Sequence, residues 1–270
     1  MENNTFEVKL ENLKKNVAAR ESTRVVKLPF WAEVKRGTPN SFLRSALFSS
    51  IQSKDRGFMN EETLFSQQGI VVKFTGNQLN QEDLTLWQVL IHFYKEQPLG
   101  DEIEFTAYKI LKLLELDTNS DGYKRLHTGI IRLTACAVEI THDKKTYFGA
   151  LIKSGRKDEV TKTYTLELDK KLIQLFDEDA WTAIDSQQRI DLRRKPLAQA
   201  LHAYFSSHKT PYPVSIAFLQ QLTGSRNSQL ASFKRHVCAA LDVLVAIGFL
   251  KDYSVVDGLV SVRRSAILLK

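Results

Sequence analysis

Seven polar and basic residues crowd ten consecutive positions near the C-terminal end of the chain: Arg226, Asn227, Ser228, Gln229, Ser232, Lys234 and Arg235. These are side chains that grip or read a duplex. Arginine and lysine donate to guanine edges or neutralise phosphate, asparagine and glutamine pair with the adenine edge, and serine bonds to either. Ser228, Ser232 and Arg235 stand at offsets zero, four and seven, which is one face of a helix. A second, looser set lies upstream: Asn119, Ser120, Lys124, Arg125 and Thr128, with Arg132 further along the same run. Beyond each set is a hairpin-like segment with its own cations, Lys153, Arg156 and Lys157 in the first and Arg263 and Arg264 in the second. Such cations approach phosphates beside a groove or inside a narrow minor groove. Any one of these residues alone fits an ordinary solvated face; the two clusters together argue for nucleic acid.

A helix reads bases when its amino-terminal turns enter a major groove about 12 Å wide while its apolar side is held by a scaffold. Both sets have such a setting. In the second, VSIAFLQQLTG predicts a short helix ended by Gly224, and the following run predicts a longer one, capped by Ser225 or Asn227, with Leu230, Phe233, Val237, Leu241 and Leu244 inward. Gly248 ends it, and two short strands follow, joined through Asp257-Gly258, a strong hairpin dipeptide. In the first, Thr106 caps AYKILKLLEL, the turn DTNSD follows, and Tyr123, Leu126, Ile130 and Leu133 form one apolar stripe. Three strand-like runs then span 136–169, with hairpin signals at Asp143-Lys144 and around Gly155, which reads as a wing.

Each pair of helices is preceded by a longer amphipathic one, LNQEDLTLWQVLIHFYKEQ in the first case and residues 188–207 in the second. Earlier in the chain, 40–51 has helical spacing, 55–69 reads as loop and GIVVKFTG (69–76) as a strand. The unit therefore occurs twice. The expected fold is α+β, two tandem winged-helix domains at 28–168 and 169–270 with a linker region around 168–186, behind an N-terminal arm at 1–27 that reads as a tail.

Composition bounds the alternatives. A hydrophobic fraction of 43% and aromatic fraction of 10% over 270 residues support a folded core, and no apolar run approaches the roughly 18 residues of a membrane span. The start of the chain has no apolar leader and the two cysteines imply no disulfide framework, so a reducing cytosol is expected. The net charge is +7, yet Arg189–Lys270 alone holds twelve Lys and Arg against four Asp. That concentration of charge favours a polyanionic partner.

No Gly-rich GxxxxGK loop is present, and the six histidines do not pair with Cys136 or Cys238 at zinc spacing, so neither nucleotide nor metal cofactor is expected. The rival enzyme reading is a metal-dependent nuclease or relaxase, with Asp177, Glu178 and Asp179 holding the ion and a tyrosine such as Tyr204 attacking phosphate. Two binding rivals remain at this stage: a dimeric winged-helix repressor, and a scaffold whose basic helices take acidic proteins.

The runs LPFWAEVKRGTPNSFLRSALFSSI (28–51), FTGNQLNQEDLTLWQVLIHF (74–93), IEFTAYKILKLLEL (103–116) and DGYKRLHTGIIRLTACAVEI (121–140) resemble the TrfA family of plasmid replication initiators, over nearly all of residues 25–265. The resemblance implies a tandem winged-helix initiator that binds repeated iteron sites in origin duplex, one domain also serving self-association and the other dominating iteron binding. It implies a monomer-dimer equilibrium, origin melting, single-strand binding, and contacts with the host initiator, the replicative helicase and the sliding clamp. Gln174, Leu175 and Phe176 in IQLF are a truncated match to a clamp-binding segment; Leu64 and Phe65 match no better and read as packing residues.

Overall fold

The computed structural model describes residues 25–265, so the arm expected at 1–27 lies, up to residue 24, outside the described residues. In chain order the elements are β1 (Lys35–Pro39), α1 (Asn40–Leu43), β2 (Phe48–Ser49), β3 (Phe58–Leu64), β4 (Ile70–Asn77), β5 (Leu79–Asn80), α2 (Gln81–Phe93), β6 (Glu102–Thr106), α3 (Ala107–Leu113) and α4 (Ser120–Thr134). Next come β7 (Ala137–His142), β8 (Lys145–Gly149), β9 (Ser154–Lys157), β10 (Thr163–Glu167), β11 (Trp181–Asp185), α5 (Ser186–Asp191) and α6 (Pro196–Ser206). The chain closes through β12 (Val214–Ser215), α7 (Ile216–Leu222), α8 (Leu230–Ala246), β13 (Leu250–Val256) and β14 (Leu259–Arg264).

The same unit is built twice. In the first, α2, β6, α3, α4 and the ribbon β9–β10 follow one another, with sheet order β6-β10-β9; in the second, α6, β12, α7, α8 and the ribbon β13–β14 do so, with order β12-β14-β13. The second helix of each unit starts on the same device. The Thr106 hydroxyl accepts the Lys109 N–H, the Ser215 hydroxyl accepts the Phe218 N–H, and each preceding strand is antiparallel to the returning strand of its ribbon. This is the winged-helix arrangement expected from the sequence.

The first unit is elaborated. β7 and β8 leave the recognition helix and join β3 and β4 in a separate four-stranded sheet of order β3-β4-β7-β8, so the single wing expected over 136–169 is two hairpins in two sheets. β3 occupies part of the stretch read as loop, and of residues 40–51 only Asn40–Leu43 is helical. There the Ala46 N–H turns away to the Phe65 carbonyl, and Phe48–Ser49 pairs with Leu79–Asn80 instead. The helix expected at 188–207 is broken: Arg194 has φ 66° and Pro196, lacking an N–H, starts α6.

Two hydrophobic cores result. One is built on Trp87, Phe42, Phe48, Phe74 and Leu90, the other on Phe205, Phe233, Val237, Leu241 and Leu244. Residues 169–185, expected to open the second domain, pack on the first core: Leu172, Leu175, Phe176 and Ile184 are buried in it, and β11 is antiparallel to β1. By burial these residues go with the first core, although the expected bounds of 28–168 and 169–270 put them in the second domain.

The two cores are clamped together. Arg189, 1% exposed, donates from Nε to Thr85 Oγ1 (3.0 Å), from Nη1 to the Gln199 carbonyl (3.0 Å) and from Nη2 to Gln81 Oε1 (2.7 Å) and its carbonyl (2.9 Å). Phe65 packs edge-on against Phe218 with ring centroids 5.5 Å apart, and the Ser50 N–H donates to the Thr223 carbonyl (2.7 Å). Gly224, at φ +58°, approaches Ser49 so closely that a Cβ there would sit 2.7 Å from the serine Cβ. These contacts fix how far apart the two recognition helices stand.

Candidate nucleic-acid interface

The recognition helix of the second unit, α8, begins at Leu230, one turn later than its polar residues suggest. Gln229 is the N-cap and makes no side-chain cap bond, so Arg226, Asn227 and Ser228 belong to the turn, and neither Ser225 nor Asn227 caps the helix. Ser228 accordingly does not share a helical face with Ser232 and Arg235. Asn227 braces the turn: its Nδ2 donates to Ser232 Oγ (3.1 Å), its Oδ1 accepts the Gln229 N–H (3.1 Å) and its carbonyl accepts Gln220 Nε2 (2.6 Å). Arg226 reaches back to Gln78 Oε1 of the first unit (2.7 Å). Ser228, Gln229, Lys234 and Arg235 are exposed while Phe233, Val237 and Leu241 are buried behind them. Lys234 and Arg235 have no ion-pair partner among the described residues.

In the first unit, Asn119 caps α4 through its Oδ1, which accepts the Gly122 N–H (2.9 Å). Ser120, Lys124, Arg125 and Thr128 are exposed on one side, with Leu126, Ile130 and Leu133 buried on the other. Arg125 is 3.6 Å from Glu82, and Asp117 and Asp121 flank the same turn. Arg132 points inward, with Nε and Nη2 both on Asp83 Oδ1 (3.0 and 2.9 Å). The amino-terminal turn of α4 borders a cleft of about 360 Å³ whose far wall includes Arg193 and Arg194. Arg194 is exposed there and Lys195 is exposed next to it in sequence, two cations absent from the sequence-derived set; the Arg-Arg-Lys run ahead of Pro196 is the signal that marks them.

The ribbons divide more sharply. On the first, Lys153 pairs with Glu167 (2.5 Å), Arg156 with Glu102 (2.9 Å) and Lys157 with Glu159 (2.8 Å). A cation already matched by a carboxylate releases little counterion when it meets a phosphate. We therefore expect Arg156→Ala to leave the slope of log affinity against log salt unchanged, where an unpaired phosphate-binding cation would lower it by about one unit; a salt titration on duplex DNA checks this. On the second ribbon Arg263 forms a two-pronged pair with Asp252. Arg264 lies over the Phe249 ring (5.4 Å) and donates to the His208 carbonyl (3.1 Å), and burial lowers its pKa. It is a packing residue, tying the ribbon to the end of α6.

Charge separates the two units as well. Residues 25–185 hold 21 Lys and Arg against 23 Asp and Glu, and residues 186–265 hold 11 against 4. The excess of positive charge in the folded body therefore belongs to the second unit.

The remaining sequence-derived sites do not assemble. Leu175 and Phe176 are buried, and Phe176 stacks on Trp31 with centroids 6.1 Å apart, so only Gln174 of the clamp-like segment is exposed. Leu64 is half-buried against the first core and Phe65 packs on the second. Asp177 pairs with Lys145 (2.5 Å), and Tyr204 is buried in the second core with its pKa raised by that burial. Among the described residues no three His, Cys, Asp or Glu side chains come together as metal ligands, and no helix is long and apolar enough to cross a membrane.

A duplicated winged-helix unit with an exposed, cationic second recognition helix can be set against known proteins. The sequence profile of the TrfA protein family matches residues 7–264. The chain belongs to the TrfA family. It is 26% identical over 245 residues to the plasmid replication initiator protein TrfA of Escherichia coli, covering 87% of this chain and 63% of that one. It is 25% identical over 194 residues to the replication protein RepA of Salmonella typhi, covering 68% and 54%. The chain thus spans somewhat over half the length of both relatives. Among solved structures, domains 2 and 3 of RctB superpose with a TM-score of 0.57 at 11% identity, over 85% of this chain and 99% of that one. The Pi initiator protein, solved in complex with iteron DNA, gives 0.51 at 13%, over 77% and 100%. At such identities the likeness concerns the fold, and it confirms the α+β tandem winged-helix architecture for this TrfA family member.

Proposed function

We propose that this chain is a non-enzymatic plasmid replication initiator that binds repeated iteron sites in origin duplex, with α8 as the principal reading helix and α4 as the second. The observation that carries this reading is the repetition of one helix–strand–helix–helix–ribbon unit whose second copy presents Lys234 and Arg235, unpaired, on the exposed side of its recognition helix. Membership of the TrfA family supports the replication context, and the clamped interface supports two heads set at a fixed spacing. Phosphate contacts position the protein and exposed side chains at the start of α8 read base edges.

The further assignments are the host initiator, the replicative helicase and the sliding clamp as partners, single-stranded origin DNA as a second nucleic-acid ligand, self-association between monomer and dimer, and action in the bacterial cytoplasm. The clamp is not assigned to residues 174–176, because the two apolar side chains of that segment face the first core.

The test is a salt-series titration of the purified chain, without nucleotide, on the repeated origin sequence of its own plasmid and on a scrambled duplex of equal length. The expected result is a steep salt dependence with a preference for the repeats of at least about a thousandfold, the lower range for specific DNA binders. Equal affinity for the two duplexes would refute the assignment.

A further inference from the structure

The second ribbon ends in two exposed aliphatic side chains, Val256 (63% exposed) and Leu259 (47%). They are direct cross-strand partners on either side of the Asp257-Gly258 turn. Behind them on the same outward face the next facing pair is Ser254 and Ser261, and then Asp252 and Arg263. The opposite face carries Val255, Val260, Tyr253 and Val262, which pack toward the second core. Packing there accounts for the inward set, whereas the outward set meets nothing in the described fold.

The ribbon is also stiff. Asp257 (φ 50°) and Gly258 (φ 76°) are both left-handed, as a two-residue type I′ turn demands. The Gly258 carbonyl accepts the Ile216 N–H (2.9 Å), and β12 pairs with β14 at Val260 and Leu259. An aliphatic pair held out on a braced turn and backed by two hydroxyls has the chemistry of a wedge: apolar groups enter between base steps while the hydroxyls meet the flanking phosphates. The partner is identified as duplex by charge, since this ribbon belongs to the unit with 11 cations against 4 carboxylates.

We propose that Val256 and Leu259 seat in the minor groove beside the site read by α8 and loosen base stacking there, so that binding itself deforms the duplex without nucleotide. This rests on the second unit binding duplex DNA as proposed above. The task rests on the aliphatic tip of the second ribbon and not on its cations, since Arg263 is matched by Asp252 and Arg264 packs over Phe249.

The test uses the full chain and an iteron duplex from its own origin with 2-aminopurine replacing adenines on either side of the repeat. Wild type is expected to bind and to raise the 2-aminopurine fluorescence at one flank. The double variant Val256→Thr with Leu259→Thr keeps residues suited to a strand, and is expected to keep most of its affinity while losing most of the fluorescence rise; Val256→Ile with Leu259→Met is expected to restore it. Unchanged thermal unfolding of the variants shows that the ribbon is intact. A threonine variant that retains the full rise, or that alters only the oligomeric state of the free protein, overturns the wedge while leaving the proposed function standing. A wild-type chain that does not bind the duplex overturns both.

Discussion

Asp83→Ala should cost about 3–5 kcal/mol of stability, the largest single-site loss expected in the first unit. The carboxylate is 2% exposed and serves three groups at once. Its Oδ2 accepts Arg56 Nη1 (2.6 Å) and the Asn80 N–H (3.0 Å), the latter closing a capping box at the start of α2. Its Oδ1 accepts Nε and Nη2 of Arg132. Removing it strands two guanidinium groups whose side chains are only 11% and 17% exposed. Burial already lowers the Arg56 pKa, and Asp83 opposes that shift. The loss is read from the urea midpoint of unfolding of the first unit. Adding Arg132→Met to Asp83→Ala should recover part of it, because one uncompensated charge is then removed. A midpoint unchanged by Asp83→Ala would show that water, not the carboxylate, solvates these arginines. The same network binds the base of α4 to α2, so a recognition helix in this unit is held from behind by ions as well as by its apolar stripe.

Much of this architecture is legible in the sequence because its signals are local. The offsets of Tyr123, Leu126, Ile130 and Leu133, the threonine cap at 106, the Asp257-Gly258 turn and the closing Gly248 each act within a few residues, and each stands where the pattern places it. What is not legible depends on distant partners. β3 reads as loop because Glu61 and Glu62 lie on an edge strand facing water, with Phe58 exposed too, so no apolar alternation marks it. β7 and β8 look like part of a wing until β4 is there to pair with them.

The site shows the same division. Lys234 and Arg235 are outward because Phe233 before them and Val237 after them are apolar and face the core, which spacing reveals. The partners that occupy Lys153, Arg156, Lys157 and Arg264 lie 14, 54, 2 and 56 residues away in sequence, and only the last but one is within reach of a local pattern. A count of cations thus overstates the first ribbon and the end of the second. It also includes Arg189, whose charge is buried against neutral oxygens at the junction of the two units and takes no part in the surface field.

Lys234→Glu with Arg235→Glu should abolish measurable preference for the repeats. Each unpaired cation at a base edge or phosphate is worth about 1–3 kcal/mol, so loss of both removes roughly two or more powers of ten in affinity before repulsion is counted. Reversal then sets two carboxylates against the phosphates and lowers the salt slope by at least about two units. Stability should hardly change, because both side chains are exposed and neither is paired in the described fold. Their place on α8 makes the comparison with the first ribbon decisive: reversing Lys153 and Lys157, whose carboxylate partners lie 2.5 and 2.8 Å away, alters charge by the same amount at a surface that is already neutral. If steering by net charge alone governed binding, the two double variants would lose affinity equally. If α8 is the reading surface, the Lys234 and Arg235 variant loses discrimination between repeat and scrambled duplex, while the Lys153 and Lys157 variant loses affinity for both duplexes by the same small factor. Competition titrations at two salt concentrations separate these outcomes, and equal losses would move the reading surface away from α8.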